Sequence, residues 1–215
     1  MTSAPVAVEA ALRSLFPAGV AVAVEPIGPA GATQLWPEEQ PAMAGAVPAR
    51  LAEFVAGRSA ARQVLAQLGH PPQALPMGPD RAAIWPRGIS GSIAHAAGLA
   101  IAVARRGAPV GVDIEDDTAL APDLWPILCR PEELQRLGDD IGKGVKRLFC
   151  AKEAVFKAQA PDSRAMFGHE TLSVTLAKDR FDAQLLTDAG AFRAGQVVPG
   201  RITGTQGLIL AGVAV

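Results

Sequence analysis

Cysteine is scarce in this chain, which has only Cys129 and Cys150 among its 215 residues. Neither lies in a CxxC pair or in a Cys/His group with zinc-ligand spacing, so we expect two free thiols in a reducing compartment. The chain also lacks an apolar run of about 18 residues, and no basic segment precedes its apolar N-terminal stretch. These absences predict no membrane span, no signal peptide and a cytoplasmic location.

An excess of charge of either sign is also missing. The 20 Lys and Arg residues nearly balance the 21 Asp and Glu residues, which gives a net charge of −1 and a pI near 6.3. Nucleic acid is therefore not an expected partner. With 49% hydrophobic and 19% charged residues, the composition is typical of globular proteins, and the chain is long enough for one domain or two compact halves.

Residues 111–115 (GVDIE) carry two carboxylates in an apolar, β-branched run that predicts a strand. Because alternate residues of a strand project to the same face, Asp113 and Glu115 are expected to point together. The sequence around Glu153 and Lys157 predicts a helix on which these residues, four apart, share one face. Three carboxylates beside a lysine indicate a Mg²⁺ site next to a bound phosphate. The alternatives are a solvated strand edge and a surface ion pair.

The rest of the pattern predicts a mixture of helices and strands. Helices are expected at 6–16, 50–68, 131–137 and 145–160, and strands at 20–24, 99–104, 110–114, 172–176, 181–186, 197–203 and 208–215. Two Pro- and Gly-rich stretches, 25–48 and 70–91, are expected to be irregular. Arg58 lies in register with the apolar stripe of the second helix, so its charge needs a partner.

Two motifs carry a family resemblance. Residues 111–115 and 149–157 (FCAKEAVFK) resemble the G-[IV]-D-[IV]-E and F-x-x-K-E-[AS]-x-x-K motifs of 4′-phosphopantetheinyl transferases of the Sfp-like class. Upstream, residues 56–62 (AGRSAAR) and the GPDR, WP and GSIAH segments within 78–95 resemble the enterobactin synthase component D branch of that class. The matches occur in family order from about residue 50 to residue 158, which makes the set far more specific than any single motif.

The resemblance implies an α+β fold of two similar α/β halves related by a pseudo-twofold axis. The N-terminal half, 1–112, would hold the elements that bind coenzyme A. The C-terminal half, 113–215, would carry the metal-binding residues and the catalytic helix. The active site would lie between the halves, and two fused halves would complete it in one chain, so we expect a monomer.

The resemblance also implies a reaction. The 4′-phosphopantetheine arm of coenzyme A would pass to a serine of an apo carrier protein, leaving adenosine 3′,5′-bisphosphate. Asp113, Glu115 and Glu153 match the metal ligands of the family, with Mg²⁺ as the cofactor. Glu153 is also the best candidate for the base that accepts the serine proton, and the catalytic set would be Glu153, Lys157 and Asp113.

Basic residues of the same motifs are implied to bind coenzyme A, whose phosphates suit the planar guanidinium fork. The implied set is Arg58, Arg62, Arg81, His95, Lys152 and Lys157, with Arg50 as a weaker candidate. Ala94 stands where the branch has serine, which removes one hydroxyl donor beside His95. Other interpretations remain open: Arg58 paired with Glu53 or Asp80, Arg62 exposed, and Lys152 solvated. Gly78 and Pro79 resemble positions lining the adenine site.

The carrier proteins that this family modifies are acidic. We expect the mixed-charge segment 130–147 to be the surface on which a carrier docks. It contains Arg130 and Lys146 and follows apolar residues at 120–128. A plain mixed-charge surface is the alternative. The branch implies siderophore or other nonribosomal peptide synthesis, with fatty-acid synthesis as the nearest alternative.

Two other function classes compete with the transferase. A nonenzymatic module that binds coenzyme A would keep the fold without turnover, and Ala94 is the only feature that favours it. An unrelated Mg²⁺-dependent phosphohydrolase would use water as the nucleophile and need no carrier, so turnover of coenzyme A alone would identify it.

Overall fold

The computed structural model describes residues 4–159, 168–189 and 192–215. Helices and strands alternate irregularly along the chain, and the strands form two separate antiparallel sheets. The elements are α1 (Ala4–Ser14), β1 (Ala21–Pro26), α2 (Pro48–Gln67), β2 (Ile89–Ala96), β3 (Leu99–Arg106), β4 (Val110–Asp116), α3 (Trp125–Leu128), α4 (Pro131–Leu134), α5 (Ile141–Ala158), β5 (Leu172–Leu176), β6 (Arg180–Leu185), β7 (Val197–Thr205) and β8 (Leu208–Ala214). The fold is therefore mixed α and β, as expected.

The first sheet has three strands in the order β1-β3-β2. Helix α2 covers one face of it, and small side chains on both surfaces let helix and sheet approach closely. The buried contact includes Ala60, Ala61, Val64 and Leu65 from the helix and Ala21, Ala23, Ala102 and Ala104 from the strands. One side of α2 is thereby fixed against the sheet.

The second sheet has five strands in the order β4-β8-β7-β6-β5, and helix α5 packs on one face of it. Strand β8 alternates cleanly: Ile209 and Ala211 face α5, whereas Leu208 and Leu210 face the first sheet. By the same alternation, Gly111, Asp113 and Glu115 of β4 lie on the side of α5, because Asp113 stands opposite Ala211.

The two sheets meet where β2 runs beside β4. The Ser92 hydroxyl accepts a hydrogen bond from Val112 N at 3.2 Å and donates one to Val112 O at 3.4 Å. Apolar side chains fill the space around this bridge, among them Leu12, Ile101, Ile114 and Leu210. The bridge and the apolar packing hold the carboxylates of β4 at a fixed place relative to α2 and β2.

The close approach of α5 to β4 depends on Gly111. A Cβ atom at this position would overlap the carbonyl oxygen of Ala154 and lie 2.6 Å from the backbone nitrogen of Ala158. Both atoms belong to the helix backbone, so they cannot turn aside as a side chain would. Only a residue without Cβ lets the last two turns of α5 rest on the strand.

Most elements predicted from the sequence are present, and the departures have physical reasons. Strand β2 lies partly in a stretch predicted to be irregular, because its glycine and serines pair with the apolar β3 despite weak strand propensity. Helix α5 begins at Ile141 and not at 145. Gly142 and Gly144, which the prediction places before the helix, lie inside it and pack closely against Ala119 and Leu137.

Three boundaries complete the comparison. Helix α4 ends at Leu134, three residues before the predicted end. Helix α5 ends at Ala158, and residue 160, the predicted end, lies outside the described residues. The division expected between residues 112 and 113 falls inside β4. Among the described residues, no helix is long and apolar enough to cross a membrane.

We expect Gly111→Ala to lower the free energy of unfolding by about 1–3 kcal/mol, because the added methyl group meets rigid helix backbone. Urea denaturation measures the change. Gly204→Ala is the matched control, since a Cβ there would have its nearest neighbour at 3.7 Å and should change stability by less than about 0.5 kcal/mol. Equal stability of the two variants would refute the close contact.

Candidate functional site

A cavity of about 340 Å³ lies where α2, β2 and the end of α5 come together. Helix α2 contributes one wall, β2 the floor, and residues 80–85 the opposite rim. Phe156 and Lys157 close the side that faces β4. The cavity therefore combines residues of both sheets' elements, and most of the sequence motifs line it.

The rim of the cavity is built by a tight turn and one aromatic side chain. Gly78 and Ala82 form a backbone hydrogen bond of 2.8 Å, and Arg81, at φ 66°, occupies the left-handed region within that turn. The turn holds Arg81 against the cavity. Trp85 lies flat on β2, which requires glycine at position 91, because a Cβ there would overlap the indole ring.

Arg58 is the most unusual group in the cavity wall. Its Nε donates to Leu75 O at 2.6 Å, and its guanidinium carbon lies 4.1 Å from the centre of the Phe54 ring. Its Nη2 is buried and has no hydrogen-bond partner among the described residues. Burial lowers the pKa of Arg58 to about 10, against the opposing effect of Glu39. An arginine with an unused buried donor is a ready anion ligand.

His95 belongs to a second polar group on the same wall. Arg50 Nη1 lies 3.2 Å from Glu53 Oε2 and 3.1 Å from His95 Nε2. Burial lowers the pKa of His95; Glu53 opposes this shift, whereas Arg50 adds to it. A neutral ring whose Nε2 accepts from Arg50 fits this setting, with the Arg50–Glu53 pair holding the histidine at the cavity.

The alanine at position 94 does not remove a contact from the cavity. Its side chain is buried in the apolar cluster between the sheets, on the face of β2 opposite His95. Ser92 shares that face, and its hydroxyl is bonded to Val112. A side chain at position 94 therefore points into this apolar cluster, on the opposite face of β2 from His95.

The carboxylates of β4 meet lysines of α5. Lys157 Nζ donates to Asp113 Oδ1, while Asp113 Oδ2 is buried without a hydrogen-bond partner among the described residues. Lys146 Nζ lies 3.1 Å from Glu115 Oε2 and also pairs with the next residue, Asp116, at 2.6 Å. Alternation along β4 thus places both motif carboxylates against α5.

The three motif carboxylates influence one another. Burial raises the pKa of Asp113, with Lys157 opposing and Glu153 adding to the shift. Burial also raises the pKa values of Glu115 and Glu153; Asp113 adds to the first shift and Glu115 to the second. Each of the three carboxylates thus raises the pKa of a neighbour or has its own pKa raised by one, as expected for like charges.

The fit of this group to Mg²⁺ is partial. Oxygen donors are the ligands that Mg²⁺ prefers, and Asp113 Oδ2 is a buried oxygen without a partner. In the arrangement seen, however, no three His, Cys, Asp or Glu side chains of the described residues are close enough together to form a metal cluster. The lysines at positions 146 and 157 neutralise the carboxylates instead.

Two residues of the implied set for coenzyme A lie away from the cavity. Arg62 Nη1 contacts both carboxylate oxygens of Glu39, at 2.9 and 3.1 Å. Lys152 is 1% exposed and donates to Glu133 Oε2 at 2.7 Å. In this structure each of the two cations is paired with a buried carboxylate that local sequence spacing does not reveal, and neither lines the cavity.

Lys152 is the centre of a buried polar network. Besides Glu133, its ammonium donates to Leu128 O at 2.9 Å and to His169 O at 3.1 Å. Glu133 accepts in turn from the backbone nitrogens of Arg130 and Val174. The network ties the short helices α3 and α4 to α5 and β5, so Lys152 has a structural role.

Lys146 also differs from its expected role. It is 7% exposed and paired with Glu115 and Asp116, so it is not available to an incoming carrier. The sequence contained a signal for the location of Lys146 beside the β4 carboxylates. Positions 146, 153 and 157 follow helical spacing and therefore share one face of α5. Glu39 had no such signal, since its cationic partner Arg62 lies 23 residues away in sequence and Leu75 lies 36 residues away.

Comparison with known proteins gives a consistent result. Residues 38–105 match the family described as 4′-phosphopantetheinyl transferase N-terminal domain, and residues 109–200 match the 4′-phosphopantetheinyl transferase superfamily. The chain is 34% identical over 170 residues to 4′-phosphopantetheinyl transferase Npt of Nocardia iowensis, covering 77% of this chain and 76% of that one.

Two further relatives agree. Identity is 33% over 199 residues to 4′-phosphopantetheinyl transferase PptT of Mycobacterium tuberculosis, covering 86% of this chain and 87% of that one. It is 35% over 124 residues to enterobactin synthase component D of Escherichia coli, covering 55% and 59%.

Lys152→Met should destabilise the protein by about 3–5 kcal/mol, because it leaves the Glu133 carboxylate buried and unpaired. Adding Glu133→Gln should restore part of that loss. Chemical denaturation of both variants tests this, with ligand affinity measured in parallel. A Lys152→Met protein of normal stability and weakened affinity for coenzyme A would instead identify Lys152 as a ligand-binding residue.

Proposed function

The chain belongs to the 4′-phosphopantetheinyl transferase superfamily, and on that premise we propose how it acts. It transfers the 4′-phosphopantetheine arm of coenzyme A to a serine of an apo carrier protein and releases adenosine 3′,5′-bisphosphate. One observation supports this most strongly. Arg58, whose buried Nη2 has no partner among the described residues, lines one wall of the cavity, and Lys157, which is paired with Asp113, lines the other side. Coenzyme A, which carries phosphates at two separate positions, suits that arrangement.

The protein would bind coenzyme A through the phosphates and the adenine of this substrate. Arg58 would receive the 3′-phosphate at its free Nη2, supported by His95 and Arg50 on the same wall and by Arg81 at the rim. Lys157, on the opposite side, would contact the pyrophosphate. Trp85 and Ile84 offer apolar surface for the base beside the Gly78–Pro79 turn.

Transfer would proceed by attack of the carrier serine Oγ on the phosphorus that carries the pantetheine arm. The bond from this phosphorus to the bridging oxygen breaks, and the nucleotide leaves with that oxygen. Glu153 would accept the serine proton, a task that its raised pKa favours. Lys157, oriented by Asp113, would stabilise negative charge on the phosphate oxygens.

Mg²⁺ is part of this proposal. Asp113, Glu115 and Glu153 would hold it, and the unpartnered Asp113 Oδ2 is the structural feature that favours this set. When bound, the ion would neutralise charge on the pyrophosphate. Lys157 and Lys146 would then share their carboxylate partners with it.

Several finer expectations are kept as proposals. We propose two halves with a pseudo-twofold relation, divided between β3 and β4 because β4 is continuous across residues 112 and 113. A monomer is proposed because two halves fused in one chain would complete the site without a second copy. The cytoplasm is proposed because both cysteines are free and buried. Siderophore or nonribosomal peptide synthesis follows from the similarity to enterobactin synthase component D.

The carrier is proposed to dock on the exposed part of the 120–136 segment. Ile127 is 67% exposed and Leu124 is 37% exposed, and Arg130 lies at the N-terminus of α4. Apolar side chains beside a basic one suit an acidic helical carrier. Lys146 is left out of this surface because its charge is already paired.

The direct test is intact-protein mass spectrometry of apo carriers incubated with coenzyme A, Mg²⁺ and the protein. Aryl, peptidyl and acyl carrier proteins form the panel. We expect one carrier at least to gain a single phosphopantetheine mass, and a chelator to abolish the gain until Mg²⁺ is restored. Bound coenzyme A without any gain would favour a nonenzymatic module, and turnover of coenzyme A without a carrier would favour a phosphohydrolase.

Glu153→Gln should lower the transfer rate by about 10²–10⁴-fold with the melting temperature unchanged, because the amide cannot accept the serine proton. Asp113→Ala should lower the rate and raise the Mg²⁺ concentration needed for half-maximal activity. Glu9→Gln, on the exposed face of α1, is the control for the chemical change. Near-normal turnover in either site variant would contradict the assignment.

Ile127→Asp and Arg130→Glu should each raise KM for the carrier by at least about fivefold while leaving KM for coenzyme A unchanged. Val197→Asp introduces the same charge at a residue that is 51% exposed on β7, and it should leave both constants unchanged. An unaltered carrier KM in both docking variants would place the docking surface elsewhere.

A further inference from the structure

A buried carboxylate outside the reaction, Glu39, joins parts of the chain that lie far apart in sequence. It is 0% exposed and accepts four hydrogen bonds. Arg62 Nη1 contacts both of its oxygens, at 2.9 and 3.1 Å, the Leu75 N–H donates at 2.9 Å and the Trp36 N–H at 3.1 Å. Such saturation makes Glu39 a rigid anchor.

Leu75 connects this anchor to the cavity. Its N–H binds Glu39 and its carbonyl accepts from Arg58 Nε at 2.6 Å, so the same residue is held on one side and holds Arg58 on the other. Phe54 supports the guanidinium from its face at 4.1 Å. The direction of the free Nη2 is therefore fixed by Leu75 and Phe54, not by a carboxylate of its own.

The charge of Glu39 also supports Arg58, in addition to the hydrogen bonds through Leu75. Burial disfavours the charged form of Arg58, and Glu39 is the main group that favours it. Arg62 is paired with Glu39 at 2.9 Å and does not line the cavity. Without Arg62, a fully buried carboxylate would lose its counter-ion and the Leu75 segment its fixed anchor.

We propose that Glu39 and Arg62 are positioning residues that aim Arg58, through Leu75, at the 3′-phosphate of the donor and so set the preference for a 3′-phosphorylated nucleotide. This rests on the function proposed above. Arg62 is thereby given a role distinct from the phosphate contact predicted from its motif, because it acts through Glu39 and Leu75.

Calorimetric titration with adenosine 3′,5′-bisphosphate and adenosine 5′-monophosphate tests the proposal without a carrier. The variants are Arg62→Lys, which keeps the charge but loses the planar fork, and Glu39→Gln, which keeps the shape but loses the charge. Arg58→Lys is the direct comparison. Gln63→Ala is the matched control, since Gln63 is the next residue on α2 and binds Glu25 instead of this network.

We expect the affinity ratio between the two nucleotides to fall about tenfold in Arg62→Lys and Glu39→Gln, the factor that loss of one well-placed charged hydrogen bond gives. Affinity for the 5′-monophosphate should stay unchanged, and Gln63→Ala should keep the ratio of the unaltered protein. Melting temperatures above the assay temperature establish that each variant is folded. If Arg62→Lys does not fold, Glu39→Gln alone tests the proposal.

Three results would overturn the inference. A ratio that stays intact in both variants would show that Arg58 is aimed without them. An equal loss of affinity for both nucleotides would mean that the pair only anchors the loop. If the unaltered protein itself does not prefer the bisphosphate, then the assignment of Arg58 to the 3′-phosphate fails with it, whereas transfer to a carrier is judged separately by mass spectrometry.

Discussion

The contact of α5 with Gly111 is the constraint on which the site depends. Helix and strand touch backbone to backbone there, so the position of α5 along β4 is set by a contact that no flexible side chain mediates. Two residues further along β4, Asp113 meets Lys157. A helix held farther away would leave this carboxylate buried without its counter-ion, at a large energetic cost. Packing and charge are thus coupled at one glycine.

The buried charges fall into two kinds, which differ in how fully they are paired. Glu133 and Glu39 accept hydrogen bonds on both oxygens, and their cations, Lys152 and Arg62, lie away from the cavity. Arg58 and Asp113 each keep one buried polar atom without a partner among the described residues. Saturated pairs hold elements together, whereas unsaturated groups are the ones that a ligand can satisfy.

The secondary structure could be predicted well wherever periodicity was strong. The long helix α2 and the strands of the second sheet follow from their apolar spacing. Strand β2 is not predicted from the sequence, because its residues have weak local strand preference and are stabilised by pairing with β3. The site motifs around Asp113 and Glu153 were readable because both carboxylates lie on elements with regular side-chain direction.

The family, the main elements and the residue types of the chemistry follow from the sequence, since motif order and periodicity are properties of the chain alone. Which cations remain available depends on tertiary contacts. Arg58 and Arg62 stand four apart in one motif, yet one lines the cavity and the other binds a carboxylate 23 residues away. Lys152 and Glu153 are adjacent, yet only the lysine is fully buried in a saturated network. Long-range pairing separates these neighbours, because a buried charge is stable only beside its counter-ion and sequence spacing does not locate that partner.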